Sequence, residues 1–148
     1  MQKVMTRDEY GKYVAKKSPK SKLLRNILKA YLVGGLICMI GQFFTNSFKK
    51  MGFDADIVAS LTAMTMVFLG VMLTGFNIYD DVGRFAGAGS IVPITGFANS
   101  IVSPAMEYRS EGYILGIGAR MFLIAGPVLV YGISASIVAG ILYYLIRF

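Results

Sequence analysis

An all-α integral membrane protein is what this sequence predicts, with about four membrane-embedded segments after a basic cytoplasmic N-terminal tail. Three observations predict it. Of the 148 residues, 55% are hydrophobic, where a soluble domain holds roughly 45–50%. Mean hydropathy is +0.61, and the apolar residues fall in runs long enough to cross a hydrocarbon core of about 30 Å. The charge is lopsided. Residues 1–29 carry nine basic side chains against two acidic ones, a net of +7, and the remaining six basic and six acidic residues cancel.

The tail, residues 1–26, comes first, and the polytopic domain is expected over 27–148. Lys and Arg beside a first membrane helix hold that end in the cytoplasm and place it against anionic lipid headgroups. Val4, Met5, Tyr13 and Val14 recur at loosely helical spacing, which predicts a short helix lying on the bilayer surface. Ser18-Pro19 breaks it. The tail has no nucleic-acid-binding fold pattern, so no nucleic acid is expected as a partner. It also lacks signal-peptide form, because its polar first 22 residues lead into an apolar run with no small-residue cleavage site.

Segment one is expected from about Ile27 to Phe48, with Lys49, Lys50, Asp54 and Asp56 forming a short loop on the far side. Segment two is expected from about Ile57 to Tyr79. Asp80, Asp81 and Arg84 then return the chain to the first side.

Segment three, about 85–106, is broken. It is too apolar for a solvated loop, yet it contains Gly87, Gly89, Gly96 and Pro93. Pro93 lacks an N–H and clashes with the preceding turn, and each glycine costs up to about 1 kcal/mol in a helix relative to alanine. The pattern predicts two half-helices meeting near Pro93, which either cross the bilayer or dip in and return. Irregular backbone survives at membrane depth only where protein buries it or a watery cavity adjoins it. Ser90, Thr95, Asn99 and Ser100 on this segment are therefore candidate ligand or pathway residues. Half-helix starts offer unpaired N–H groups to anions. The competing reading is that these side chains only bond neighbouring helices.

Residues 112–146 are apolar apart from Arg120. As one helix they would measure about 52 Å, more than one crossing uses. Either a bend at Gly126-Pro127 or an interfacial piece over 112–120, followed by a span from about Met121, resolves the excess. Gly132, Ser136 and Gly140 recur every four residues, the small-xxx-small pattern of close helix packing. Arg120 is a further pathway candidate. A guanidinium in an apolar run costs several kcal/mol (about 3 on insertion scales) unless it reaches the headgroups or pairs, here with Glu107 or Glu111.

Enzyme chemistry finds little footing. There is no histidine, and the single cysteine, Cys38, forms neither an internal disulfide nor a metal site. Gly87-Ala88-Gly89 lacks the third glycine of a dinucleotide loop, since Val92 stands there. Asp80-Asp81 has no converging carboxylates. No cofactor, metal or catalytic residue is expected.

The stretches YLVGGLICMIGQ (31–42), TGFNIYDDVGRFAGAGSIVPITGFANS (74–100), EGYILGIGARMF (111–122) and AGPVLVYG (125–132) resemble the SpoVAC/SpoVAE family of stage V sporulation membrane proteins over roughly residues 27–146. The resemblance implies the inner membrane of the forespore and spore. It implies passage of dipicolinic acid, with calcium, during sporulation and germination. It also implies work in a complex with other SpoVA proteins, among them SpoVAE and the thiolase-like SpoVAD. Three or four spans are too few to enclose a pore for such a solute, so an oligomer is expected. The expected function is a subunit of a dipicolinate channel. The alternatives are a scaffold subunit of the same complex and a tension-gated osmolyte channel.

Overall fold

The computed structural model describes residues 6–18 and 22–147. Val4, Met5 and Pro19, invoked for the surface helix and its end, lie outside the described residues. Every regular element among the described residues is helical. Helix α1 covers Arg7–Lys17. It starts where the sequence offers a capping box: the Glu9 N–H donates to the Thr6 hydroxyl at 3.4 Å, and the Thr6 N–H donates to the Glu9 carboxylate at 3.1 Å. These bonds satisfy N–H groups that a helix start otherwise leaves unpaired.

Helices α2 (Leu23–Lys50) and α3 (Ala55–Gly75) form an antiparallel pair. Gly41 lies beside Met66, and the Thr45 and Thr62 hydroxyls meet at 3.2 Å. Gly52, with φ +86, makes the turn between them. Segment two does not run unbroken to Tyr79. Helix α3 stops at Gly75, and Asn77 takes the left-handed conformation with φ 59, a region that asparagine tolerates better than most residues. Tyr79 therefore belongs to the next helix.

The broken segment is interrupted twice. Helix α4 (Ile78–Ala86) is amphipathic, burying Tyr79 and Ala86 while Asp80, Asp81 and Arg84 face outward. Gly87, with φ +54, ends it. One helical turn follows, α5 (Ala88–Ile91), and Pro93 then caps α6 (Ile94–Glu107). The first half-helix expected before Pro93 is thus only four residues, because the Gly87 turn cuts it short.

Two close approaches fix this element. A side chain on Gly89 would collide with the Ala30 backbone of α2, and one on Gly70 of α3 would lie 2.8 Å from the Thr95 carbonyl and 3.1 Å from Ala98. Gly70 thus sits against Thr95 and Ala98, and Thr74 bonds Asn99. Register on both helices rises together, so α6 runs in the same direction as α3.

Tyr108–Glu111 forms a short 3-10 turn, and Gly112 at φ +93 leads into a π-helical turn over Tyr113–Gly118. Helix α7 (Ala119–Arg147) then runs without interruption through Pro127. The long apolar run thus opens with an irregular π-helical piece, and Pro127 lies inside the helix that follows. Ala125 is fully buried against the rest of the chain, but beyond Gly126 every described residue of α7 is exposed.

Among the described residues three stretches are long and apolar enough to cross a membrane: Leu23–Lys50, Ala55–Gly75 and Tyr113–Arg147. The buried apolar core is small: Val58, Met66, Tyr79, Ala86, Ala98 and Ala125. The outer faces of α2 and α7 are apolar and uncovered within the chain.

Candidate functional site

The broken element is organised around one side chain, Tyr79. Its ring is buried where α4 meets α5 and α6. Its hydroxyl donates to the Ser90 carbonyl at 2.7 Å and lies 2.9 Å from the Thr95 hydroxyl. The Ser90 carbonyl is one that the four-residue α5 cannot pair internally, so the tyrosine replaces the missing helical donor. Ser90 is fully buried, and its own hydroxyl donates to the Gly87 carbonyl at 3.0 Å. Gly96 permits the crossing, because any side chain there would strike the Ser90 and Ile91 carbonyls.

Asn99 sits one turn further along α6 than Thr95. Its Oδ1 accepts from the Thr74 hydroxyl at 2.9 Å, while that hydroxyl also approaches the Gly70 carbonyl at 2.7 Å. Ser100 donates to the Phe97 carbonyl at 2.7 Å. Thr74, the partner of Asn99, also lines a recess with Asn77, Ser103, Met106 and Glu107. No buried side-chain nitrogen or oxygen among the described residues lacks a partner.

Ser90, Thr95, Asn99 and Ser100 therefore share one element, with Ser90 and Thr95 meeting at Tyr79. Gly87, Gly89, Pro93 and Gly96 form its turns and close approaches. Sequence reasoning missed Tyr79, Thr74 and Gly70. Tyr79 reads as the last residue of an apolar run. Its one signal is position, as the large residue before Asp80-Asp81 in a segment about to break.

Arg120 stands apart. Its guanidinium carbon lies 4.5 Å from the centroid of the Tyr108 ring. Among the described residues the ion pair formed is Arg84 with Asp80 at 2.8 Å, so Arg120 pairs with neither Glu107 nor Glu111. It pins the start of α7 to the end of α6. Replacing Arg120 with Gln, or Tyr108 with Leu, should each destabilise by about 0.5–2 kcal/mol. The double variant should cost less than the sum of the two, which thermal unfolding in detergent will measure.

Gly132, Ser136 and Gly140 lie on the exposed half of α7. The Ser136 hydroxyl donates to the Gly132 carbonyl at 2.8 Å. A side chain on Gly132 or Gly140 would meet nothing within 4 Å. Gly132→Leu should therefore leave the unfolding temperature of the isolated chain unchanged. A shift of several degrees would mean that α7 folds against the chain itself.

The SpoVAC/SpoVAEB sporulation membrane protein family model matches residues 26–142. The chain is 45% identical over 139 residues to Stage V sporulation protein AC of Bacillus subtilis (strain 168), an alignment covering 93% of each chain. No solved structure matches. The family match takes in the turn at Gly87, the Tyr79 bonds and the start of α7, and the chain belongs to the SpoVAC/SpoVAEB family of sporulation membrane proteins.

Proposed function

We propose that this chain is a membrane subunit of a conduit for dipicolinic acid, with calcium, across the inner membrane of the forespore and spore. The observation that carries the reading is the shared direction of α3 and α6. With α3 crossing the bilayer, α4 and α5 enter from its end and α6 returns to the same side. At 1.5 Å per residue, α4 and α6 are about 13 and 21 Å long, too short to cross. The element is then re-entrant, and α2, α3 and α7 are the three spans. The N-terminus lies in the cytoplasm and the C-terminus on the far side.

A re-entrant element brings polar backbone into the hydrocarbon without closing a pore. Asn99 spends its carbonyl oxygen on Thr74, and its amide keeps two N–H donors for a carboxylate. Pro93 gives α6 no side-chain cap, so its first N–H groups add a partial positive charge near the tip. Arg120, held on the Tyr108 ring, places a fixed cation near the α6 end of the route. Such contacts bind a dicarboxylate weakly enough to release it. Ile91, Val92 and Ile94 at the tip are exposed and apolar, as are the outer faces of α2 and α7. Further copies, SpoVAE and other SpoVA proteins, with SpoVAD at the surface, would complete the passage.

Asn99→Leu tests this. Spores carrying it should accumulate dipicolinate at a rate lower by on the order of ten- to a hundredfold, the worth of one hydrogen bond to a charged group. Insertion and assembly should persist, and Asn46→Leu on α2 should be normal. Unchanged accumulation in the Asn99 variant removes the pathway role. One observation favours a second reading, a scaffold subunit: Ser90, Thr95 and Ser100 all bond within the chain. Reconstitution in liposomes together with the other SpoVA proteins separates the two: Asn99→Leu lowers dipicolinate flux if this chain lines the passage and leaves it unchanged if the chain is a scaffold.

A further inference from the structure

Near the α2 start lies a second recess. Asn26, Ile27 and Ala30 of α2 form one wall, and Arg84, Phe85 and the Gly87 turn form the other. Lys29 is half-buried beside it, its ammonium 4.2 Å from the centroid of the Phe85 ring. Asn26 and Lys29 lie three residues apart on one face of α2. Asn26 faces Arg84 across the recess, and Lys29 reaches its Phe85 wall.

We propose that this recess binds the phosphate of an anionic phospholipid. Arg84 and Lys29 supply the positive charge and Asn26 a side-chain amide. The guanidinium has five N–H donors, and the Asp80 carboxylate engages it through one nitrogen at 2.8 Å, so donors remain for a phosphate. Ile27 and Phe85 are each more than half exposed at the rim, and the exposed face of α2 continues from them. A free small anion has no use for those apolar walls, whereas an acyl chain does. Charge and grease at one place, on the first turns of a membrane helix, fit a lipid headgroup.

The acidic groups set the sign of a sharper test. Asp80 is bonded to Arg84 and Asp81 is exposed on the same helix. Both oppose a phosphate. Asp80→Asn should therefore tighten lipid binding, which a purely structural salt bridge would not do.

The experiment is native mass spectrometry of the full chain in detergent, titrated with phosphatidylglycerol and, separately, with phosphatidylcholine. Phosphatidylglycerol should be retained preferentially. Arg84→Gln and Lys29→Gln should each weaken retention by about fivefold and together by about twenty-five-fold. Lys49→Gln/Lys50→Gln, at the opposite end of α2, should retain the lipid as the parent does. Equal losses in that control would reduce the effect to general surface charge and overturn the site. Stabilisation against heat by inorganic phosphate as strong as that by phosphatidylglycerol would overturn the lipid assignment in favour of a free anion. Any Gln variant that loses its unfolding transition is replaced by Arg84→Lys, which keeps the charge and should retain most of the binding.

Discussion

Gly89→Val should abolish the folded protein. The α5 turn carrying Gly89 rests directly on α2, and the added side chain would overlap the Ala30 carbonyl, with its first carbon 2.7 Å from the Ala30 Cα. Ala30 lies inside a 28-residue helix, so its backbone cannot give way as a flexible side chain would. Overpacking a well-filled site typically costs about 1–3 kcal/mol, and a backbone clash belongs at the upper end or above it. In lipid no hydrophobic force holds α5 on α2, since tails are as apolar as the helix. Close contact between small residues does that work. The same substitution at neighbouring glycines gives a graded control. A side chain on Gly34 would lie 3.2 Å from the Gly89 carbonyl, and one on Gly35 would meet nothing within 4 Å. The yield of monodisperse protein from detergent should fall in the order Gly35, Gly34, Gly89, with Gly96→Val as severe as Gly89→Val. Equal yields across the series would mean that α5 does not rest on α2.

This ranking bears on function through the element it supports. Gly89 docks α5 on α2, and Gly70 lets α6 lie on α3. Gly96 permits the two arms to cross. Remove any one and the polar groups of the element face hydrocarbon without partners, at a cost of several kcal/mol (about 2–7 each). Dipicolinate accumulation should be lost together with the fold in these variants. In Asn99→Leu it should be lost with the fold intact. The two classes of variant thus separate the frame from the groups it presents.

The three long helices were legible because length and hydropathy act locally and need no partner. Pro93 was legible for the same reason, since a residue without an N–H interrupts a helix wherever it stands. The second interruption was less so. Gly87 is one glycine among several, and only its positive φ marks it as the turn. Direction was not legible at all. Whether α6 returns or proceeds depends on which residues of α3 it meets, and the small residues Gly70 and Thr74 carry no periodic signal that names their partners. Arg120 shows another limit. Its charge suggested carboxylates at Glu107 and Glu111, but the partner is the face of Tyr108, an attraction that leaves no trace in charge patterning. Tyr79 escaped because aromatic residues are common at the ends of membrane segments. Nothing local distinguishes a ring at the surface from one turned into the core.

Tyr79→Phe should loosen the broken element more than any other change of a single atom. The ring stays, so packing is kept, but the Ser90 carbonyl loses its donor while buried. An unpaired buried acceptor costs about 1–3 kcal/mol. Thr95→Val removes the other hydroxyl and leaves the bond from Tyr79 to Ser90 in place, so it should cost less than Tyr79→Phe. Tyr79→Ala adds a cavity the size of the ring between α4 and α6, for about 3–5 kcal/mol in all. Thermal unfolding in detergent should rank them Thr95→Val, Tyr79→Phe, Tyr79→Ala from most to least stable. Hydrogen exchange should localise the effect of Tyr79→Phe to residues 87–97, with α2 and α3 protected as before. If Tyr79→Phe proves neutral while Thr95→Val does not, the threonine rather than the tyrosine holds the arms together. The α5 turn would then be fixed by the Gly89 contact alone.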